Sequence, residues 1–266
     1  MSRFSLSKWY LDCVSDDGRV FIGYAASLRW GHLHINYSSA LSHYQGATKT
    51  NTSLTNFSAP SESSGTVHWR PGSLGVEGTW VSSAVRIDRT MLASGAGRVD
   101  WECLIPNAQV EVQAGDRQTK GLGYVEHLTM SLPPWHLPID ELRWGRYLSN
   151  DDALVWIDWR GPTNVKLVFL NDVQLEGARV MEDGIATEDG DVSLYLEDTG
   201  VIREGPLIRT ALSSIPGIQN LIPTRSLYAN ESKWLSRATL KRRGEAVSTG
   251  WAIHEVVRWP KTVSSA

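Results

Sequence analysis

Tyr10-Leu11 followed by Asp16-Asp17-Gly18-Arg19-Val20-Phe21-Ile22-Gly23 returns past the middle of the chain as Tyr147-Leu148 followed by Asp151-Asp152-Ala153-Leu154-Val155-Trp156-Ile157-Asp158. A second echo closes each half: Gly121-Leu122-Gly123-Tyr124-Val125-Glu126 against Gly250-Trp251-Ala252-Ile253-His254-Glu255. The offsets, 147−10=137 and 255−126=129, agree to within a loop's length. A repeat of this period predicts two similar units of about 130 residues each.

Strand signals dominate between the echoes. Arg19 to Ser27 and Leu28 to Ser38 alternate, with the bend between them expected at Ser27–Trp30. Thr48 to Thr66 holds twelve Ser, Thr or Asn in nineteen residues, so it reads as a long polar loop or flap. Further strands are expected over Thr66–Arg70, Gly75–Ile87, Arg98–Pro106, Ala108–Ala114 and Gly121–Met130. Ser131 to Pro138 carries three prolines and must leave any sheet, because proline cannot donate to a ladder.

The domain organisation that follows is a first unit over 1–130, a Pro-rich junction over 131–141 and a second unit over 142–266. In the second unit Trp144–Leu148, Ala153–Arg160, Asn164–Val173, Ala178–Met181, Val192–Glu197, Thr239–Arg242 and Glu245–Trp259 read as strands. Asp183-Gly184 and Asp189-Gly190 are hairpin turn pairs. Gly205 to Ser232, with three prolines and poor alternation, reads as a loop with a short helix and as a candidate lid. No long helical period occurs. The fold class is therefore all-β: two antiparallel barrels of the lipocalin (calycin) type from an internal repeat, each with room for one small ligand.

Forty-one per cent apolar residues suffice for real cores, and a net charge of −3 offers no footprint for nucleic acid. One basic cluster, Lys233, Arg237, Lys241, Arg242 and Arg243, reads as a solvated hairpin rim, or at most a peripheral membrane contact. Cys13 and Cys103 sit in apolar runs and read as buried thiols of a reducing compartment. The first residues lack the apolar core of a signal peptide, and no apolar run is long enough to span a bilayer. A cytoplasmic location is the expectation.

Phosphate-loop, nucleophile-elbow and zincin signatures are absent, so neither a nucleotide cofactor nor a metal is expected. His32-Leu33-His34 could place two imidazoles on one strand face, yet nothing nearby in sequence supplies a third ligand. Glu126 and His127 are neighbours on a strand and so point to opposite faces. Trp156 and Asp158 share a face, with Trp159 on the other. An Asp flanked by Trp156 and Trp159 is either a partly desolvated proton donor or the structural partner of Arg146 or Arg160.

Lys8-Trp9-Tyr10, Asp16-Asp17-Gly18, Gly123-Tyr124-Val125-Glu126-His127 and Trp144-Gly145-Arg146 resemble, in that order, the AttH-like and carotenoid 1,2-hydratase (hydroxyneurosporene synthase) family. Its relatives include tocopherol cyclase and lipocalin-like pericyclases. The resemblance implies two packed lipocalin-like barrels and cofactor-free chemistry on an apolar isoprenoid or polyketide-like molecule. That chemistry is acid-assisted hydration or cyclisation of a carbon–carbon double bond; the alternatives are a pericyclase working by shape and a non-catalytic carrier. Against the hydratase pattern His127 and Asp158 match, Glu126 replaces the first acid, Thr129 stands where a tryptophan stands, and Trp156 replaces a tyrosine. The expected catalytic set is Asp158, His127 and Glu126, lined by Trp156, Trp159, Tyr124, Thr129, Trp135, Trp144 and Arg146.

Overall fold

A computed structural model describes residues 4–82, 84–210 and 223–260. The chain divides into two compact units, Met1–Pro133 and Pro134–Ala266. The first contains β1 (Phe4–Val14), β2 (Val20–Trp30), β3 (Leu33–Tyr44), β4 (Ala47–Ser53), β5 (Ser61–Ser63), β6 (Thr66–Trp69), β7 (Val76–Val81), β8 (Ile87–Ser94), β9 (Gly97–Ala114) and β10 (Arg117–Met130). The second opens with a 3-10 turn at Pro134–His136. It continues with β11 (Glu141–Leu148), β12 (Ala153–Arg160), β13 (Val165–Leu170), β14 (Val173–Gln174), β15 (Arg179–Val180), β16 (Gly184–Ala186), β17 (Val192–Pro206), a four-residue helix α1 (Thr224–Leu227), β18 (Asn230–Arg242) and β19 (Ser248–Arg258).

Each unit is one antiparallel sheet, and the strand orders are the same. The first runs β4-β3-β2-β1-β10-β9-β7-β6-β5, with β8 added on β9; the second runs β14-β13-β12-β11-β19-β18-β17-β16-β15. In both, the first strand of the unit pairs with the last, which brings the two ends of the repeat together at the centre of the sheet.

The sheets curl into barrels. Trp69 on β6 and Gly23 on β2 are five ladder steps apart, about 24 Å on a flat sheet. Yet a Cβ built on Gly23 would lie 2.4 Å from the Trp69 ring, so the sheet has bent round until they touch. Trp69, Trp80, Leu11, Phe21, Val76, Val112 and Val125 share one apolar core inside it. The buried indoles find acceptors there: Trp80 Nε1 donates to the Asp12 carbonyl at 2.7 Å and Trp69 Nε1 to the Ser58 carbonyl at 3.1 Å. The second barrel is filled by Tyr147, Leu154, Trp156, Val168, Ile185, Leu194 and Leu240. Across it Arg160 on β12 donates to the Val180 carbonyl on β15 at 2.8 Å.

Several local expectations are corrected. The bend after β2 falls at Gly31-His32 rather than Ser27–Trp30, so His32 lies in the turn and only His34 on the strand. The polar stretch from Thr48 is partly an edge strand, β4, whose exposed Thr and Lys side chains suit an edge. β9 runs unbroken through Pro106; the missing N–H is absorbed by register shifts opposite Val125. Residues 230–232, read as loop, open β18. The proposed lid falls partly on residues 211–222, outside the described residues. Both cysteines are free and buried. Among the described residues no helix is long and apolar enough to cross a membrane.

Candidate functional site

Unbroken pairing of β1 with β2 and β10 fixes which side chains face into the first barrel. Trp9 is opposite both His127 and Ala25, and Ser7 is opposite both Thr129 and Ser27. Directly paired residues share a face. Leu11, Ala25 and Val125 belong to the core, with Trp9 packed against it, so His127, Ser7, Thr129 and Ser27 face inward too. Glu126 then faces the other way.

His127 is the centre of this arrangement. Its ring stacks on Trp9, 4.5 Å between centroids and 26° from parallel. Nε2 lies 2.8 Å from the Ser7 hydroxyl and Nδ1 lies 3.4 Å from a Glu102 carboxylate oxygen. Arg86 holds the other Glu102 oxygen at 2.9 Å. Burial pushes the His127 pKa below its ordinary value; Glu102 pulls it up and Arg86 down. A carboxylate only accepts, so Nδ1 carries the proton of the neutral ring and Nε2 accepts from Ser7.

Beside these groups a cleft of about 440 Å³ opens at the barrel mouth, lined by Ser5, Ser7, Ser27, Arg29, Thr129 and Ser131 among others. Its polar wall joins these hydroxyls and Arg29 to the Arg98–Asp100 ion pair, and its volume is that of a small-molecule site. Deeper in, the core tryptophans fill the barrel.

The opposite face of β10 is a separate, satisfied network. Glu126 accepts from Trp101 Nε1 at 2.7 Å and from the Tyr124 hydroxyl at 2.9 Å. Burial holds the Tyr124 hydroxyl well above its ordinary pKa, with Cys103 and Glu126 adding to the shift. Nearby, Tyr10 donates to Asp12 at 2.9 Å.

In the second unit Asp158 is buried on the core side of β12, and its partner is Arg160, whose Nε donates to it at 2.7 Å. Arg160 also donates to Glu141 at 3.0 Å; Glu141 accepts from Arg143 at 2.7 Å and from Arg258 at 2.8 Å. Burial raises the Glu141 pKa, but Arg143 and Arg258 outweigh it and hold it low. Trp156 fills the core beside Asp158, while Trp159 donates to the Pro138 carbonyl at 3.3 Å. Trp144 carries Lys233 at 5.3 Å over its ring, and Lys233 pairs with Glu255 at 2.6 Å. Arg146 is fully buried and donates to the Trp251 carbonyl at 2.9 Å. Trp135 lies in the 3-10 turn, edge-on to His136. Of the expected residues, only Thr129 lines the cleft, and only His127 is held against its wall. Ser7 and Glu102 were not expected at all, and Trp9 stood only in the motif of the resemblance.

The registers make the two mouths comparable. Val14 and Leu148 are the last paired residues of β1 and β11, facing Val20 and Ala153 on one side and Leu122 and Trp251 on the other. Counting from these pairs, Ser7, Trp9, Ala25, Ser27, His127 and Thr129 correspond to Glu141, Arg143, Asp158, Arg160, Val256 and Arg258. Where the first barrel has hydroxyls and a stacked histidine, the second has an ion-paired plug. Asp158 is the counterpart of Ala25.

The basic cluster is also paired off: Arg242 with Asp152 and Glu245, Arg243 with Asp191, and Arg237 stacked 3.7 Å over Trp251. Among the described residues no group of three His, Cys, Asp or Glu is placed to hold a metal.

No family model matches the chain, and no curated protein matches it by sequence. Solved structures do. CghA aligns with a TM-score of 0.56 at 10% identity, covering 96% of this chain and 88% of that one. CghA with Sch210972 aligns at 0.51 and 10% identity over the same shares. Kievitone hydratase from Nectria haematococca aligns at 0.55 and 9% identity, covering 97% and 89%. At these identities the likeness establishes a shared fold across almost the whole chain.

Proposed function

We propose that this chain is a cofactor-free enzyme of the AttH-like, two-barrel group, acting on a small unsaturated molecule at the mouth of its first barrel. The reaction class is hydration or cyclisation of a double bond: neutral His127 takes the proton of the attacking water or hydroxyl at Nε2 as its oxygen bonds to one carbon, and the imidazolium so formed returns that proton to the other carbon. One observation carries this reading: of two mouths with the same strand order, one is sealed by ion pairs and the other presents an oriented, neutral histidine beside a cleft of about 440 Å³.

Ser7 and Glu102 fix the tautomer and direction of the imidazole, and Trp9, packed against the core, holds the ring in place by stacking on it. The hydroxyls of Ser27 and Thr129 flank Ser7 and suit a water or a substrate hydroxyl. On this reading Asp158, fastened to Arg160, holds the second barrel together and carries no proton chemistry. The shared fold supports the group: one neighbour is named a hydratase and another has been solved with a small molecule, Sch210972.

The test is turnover of unsaturated isoprenoids and phenolic polyketides in D2O, followed by mass spectrometry. A product with one carbon-bound deuterium is expected. It should fall about 10²–10⁴-fold in His127→Ala, the usual weight of a general acid–base group, and persist in Asp158→Asn. The opposite pattern would move the chemistry to the second barrel. A ligand bound and returned unchanged would make the protein a carrier.

A further inference from the structure

Ser7 is more than a hydroxyl beside a histidine. Its oxygen lies 2.8 Å from His127 Nε2, and Nδ1 of the same ring faces Glu102 at 3.4 Å, so the three stand in the order nucleophile, base, orienting acid. The second contact is long, but such contacts commonly tighten only when substrate is bound. Ser7 itself lines the cleft, which gives a reacting carbonyl somewhere to sit. Ser27 and Thr129 are its direct cross-strand neighbours on either side, about 5 Å away at Cβ, and Arg29 lines the same cleft. The Ser27 hydroxyl lies 3.1 Å from His34 Nε2, and Asp100 in the same cleft is tied to Arg98, which leaves Thr129 and Arg29 as the donors for a developing oxyanion.

From this geometry we infer a second activity at the first mouth: Ser7 is an acylatable nucleophile, and the cleft hydrolyses carboxylic esters of small acids. The Ser7 oxygen bonds to the ester carbonyl carbon and its proton passes to His127 Nε2. The bond from that carbon to the alcohol oxygen then breaks, and the alcohol leaves with the proton. Water repeats the sequence: its oxygen bonds to the acyl carbon, its proton goes to Nε2, and the Ser7 oxygen leaves and regains it. The sum is ester plus water giving acid plus alcohol, with no other reactant. The lowered pKa of His127 keeps the base neutral at pH 7, as both steps need.

The second barrel supplies an internal control. Ser236 lies 2.9 Å from His254 Nε2, and His254 stacks on Trp234, 5.2 Å between centroids. There the contacts run on from Ser236 to the Thr199 hydroxyl at 2.8 Å and, among the described residues, include no carboxylate. The imitation is close in geometry, but it lacks the acid and Ser236 is fully buried, so Ser236 should not react.

Full-length protein treated with a fluorophosphonate probe should gain one adduct by intact mass, mapped to Ser7 by peptide sequencing. p-Nitrophenyl acetate should be hydrolysed with a burst equal to the number of protein molecules. Ser7→Ala should remove both, His127→Ala should lower labelling at least 100-fold, and Glu102→Gln should lower it about tenfold, each in protein whose melting temperature shows it folded. Ser236→Ala should label like the wild type. No adduct on folded wild type, an adduct at Ser236, or hydrolysis unchanged by Ser7→Ala would each overturn the inference. Deuterium incorporation without labelling would sink this activity alone and leave the double-bond chemistry standing.

Discussion

Trp9 and His127 face each other across the β1–β10 ladder with their rings nearly parallel, 4.5 Å apart. The indole covers one face of the imidazole, and that cover is part of the burial that lowers the pKa of His127. Trp9→Leu removes the flat cover and admits water. The pKa of His127 should then rise toward the ordinary value of 6.5, read by the pH titration of its ring nitrogens in 15N NMR. An unmoved pKa would show that the rest of the barrel wall sets it. Turnover at pH 6 should fall more than at pH 8, because protonation removes the base.

Close packing at two glycines sets the curvature of each barrel. A Cβ on Gly145 would lie 2.2 Å from the Trp156 ring and 2.8 Å from His254 Cβ; one on Gly23 would lie 2.4 Å from the Trp69 ring. All three atoms, two in indole rings and one a Cβ, belong to buried side chains. Gly145→Ala and Gly23→Ala should each cost about 1–3 kcal/mol, the usual weight of overpacking, measured by urea unfolding. Gly46→Ala, where a Cβ meets nothing within 4 Å, has only backbone strain to accommodate and bears on a turn rather than a core.

Acid should loosen the second unit through His254. Burial pushes its pKa to about 4 from 6.5. A histidine with a depressed folded pKa is neutral in the native state and takes up its proton on unfolding. Its contribution is therefore fully present above pH 6.5 and is lost as pH falls toward 4. Two and a half pH units correspond to roughly 3 kcal/mol. Glu141, with its own pKa held low by Arg143 and Arg258, adds a further loss below about pH 4.5. His254→Gln should flatten the fall between pH 6.5 and 4 and leave the lower one, as seen in urea unfolding at a series of pH values.

The repeat was readable because turn chemistry and alternation are local. The closing echo is in true register: Gly121 and Gly250, like Glu126 and Glu255, occupy matching places. The opening echo is three residues out. Tyr10 corresponds to Trp144, and Tyr147 to Cys13, because the shared Tyr-Leu pair lies at different distances from the turn. That slip hid the pairing of positions between the mouths. His127 was legible as an inward or outward strand histidine, but its partners were not. Ser7 is 120 residues away and Glu102 is 25, and only the register of three strands brings them together. For Asp158 the sequence left two readings even, a proton donor or the partner of Arg146 or Arg160; Arg160 follows it at an interval of two, the spacing that puts both on one face, and the two are bonded.

The pair Asp158–Arg160 separates those two readings in energy as well as in turnover. The Asp158 side chain is 10% exposed and that of Arg160 40%, so the carboxylate is the member that depends on the bond. Asp158→Asn keeps the shape and leaves Arg160 its contacts with Glu141 and the Val180 carbonyl. It should cost about 1 kcal/mol. Arg160→Met strands a buried carboxylate and cuts the tie from β12 to β15, and should cost about 2–3 kcal/mol, less than a wholly buried pair because Arg160 is partly in water. The double variant should then be more stable than the sum of the two losses, since each removes the other's reason for cost. Urea unfolding of the four proteins measures the coupling. A thermodynamically silent Asp158→Asn that abolishes turnover would instead make the carboxyl a working acid, with Arg160 as its holder.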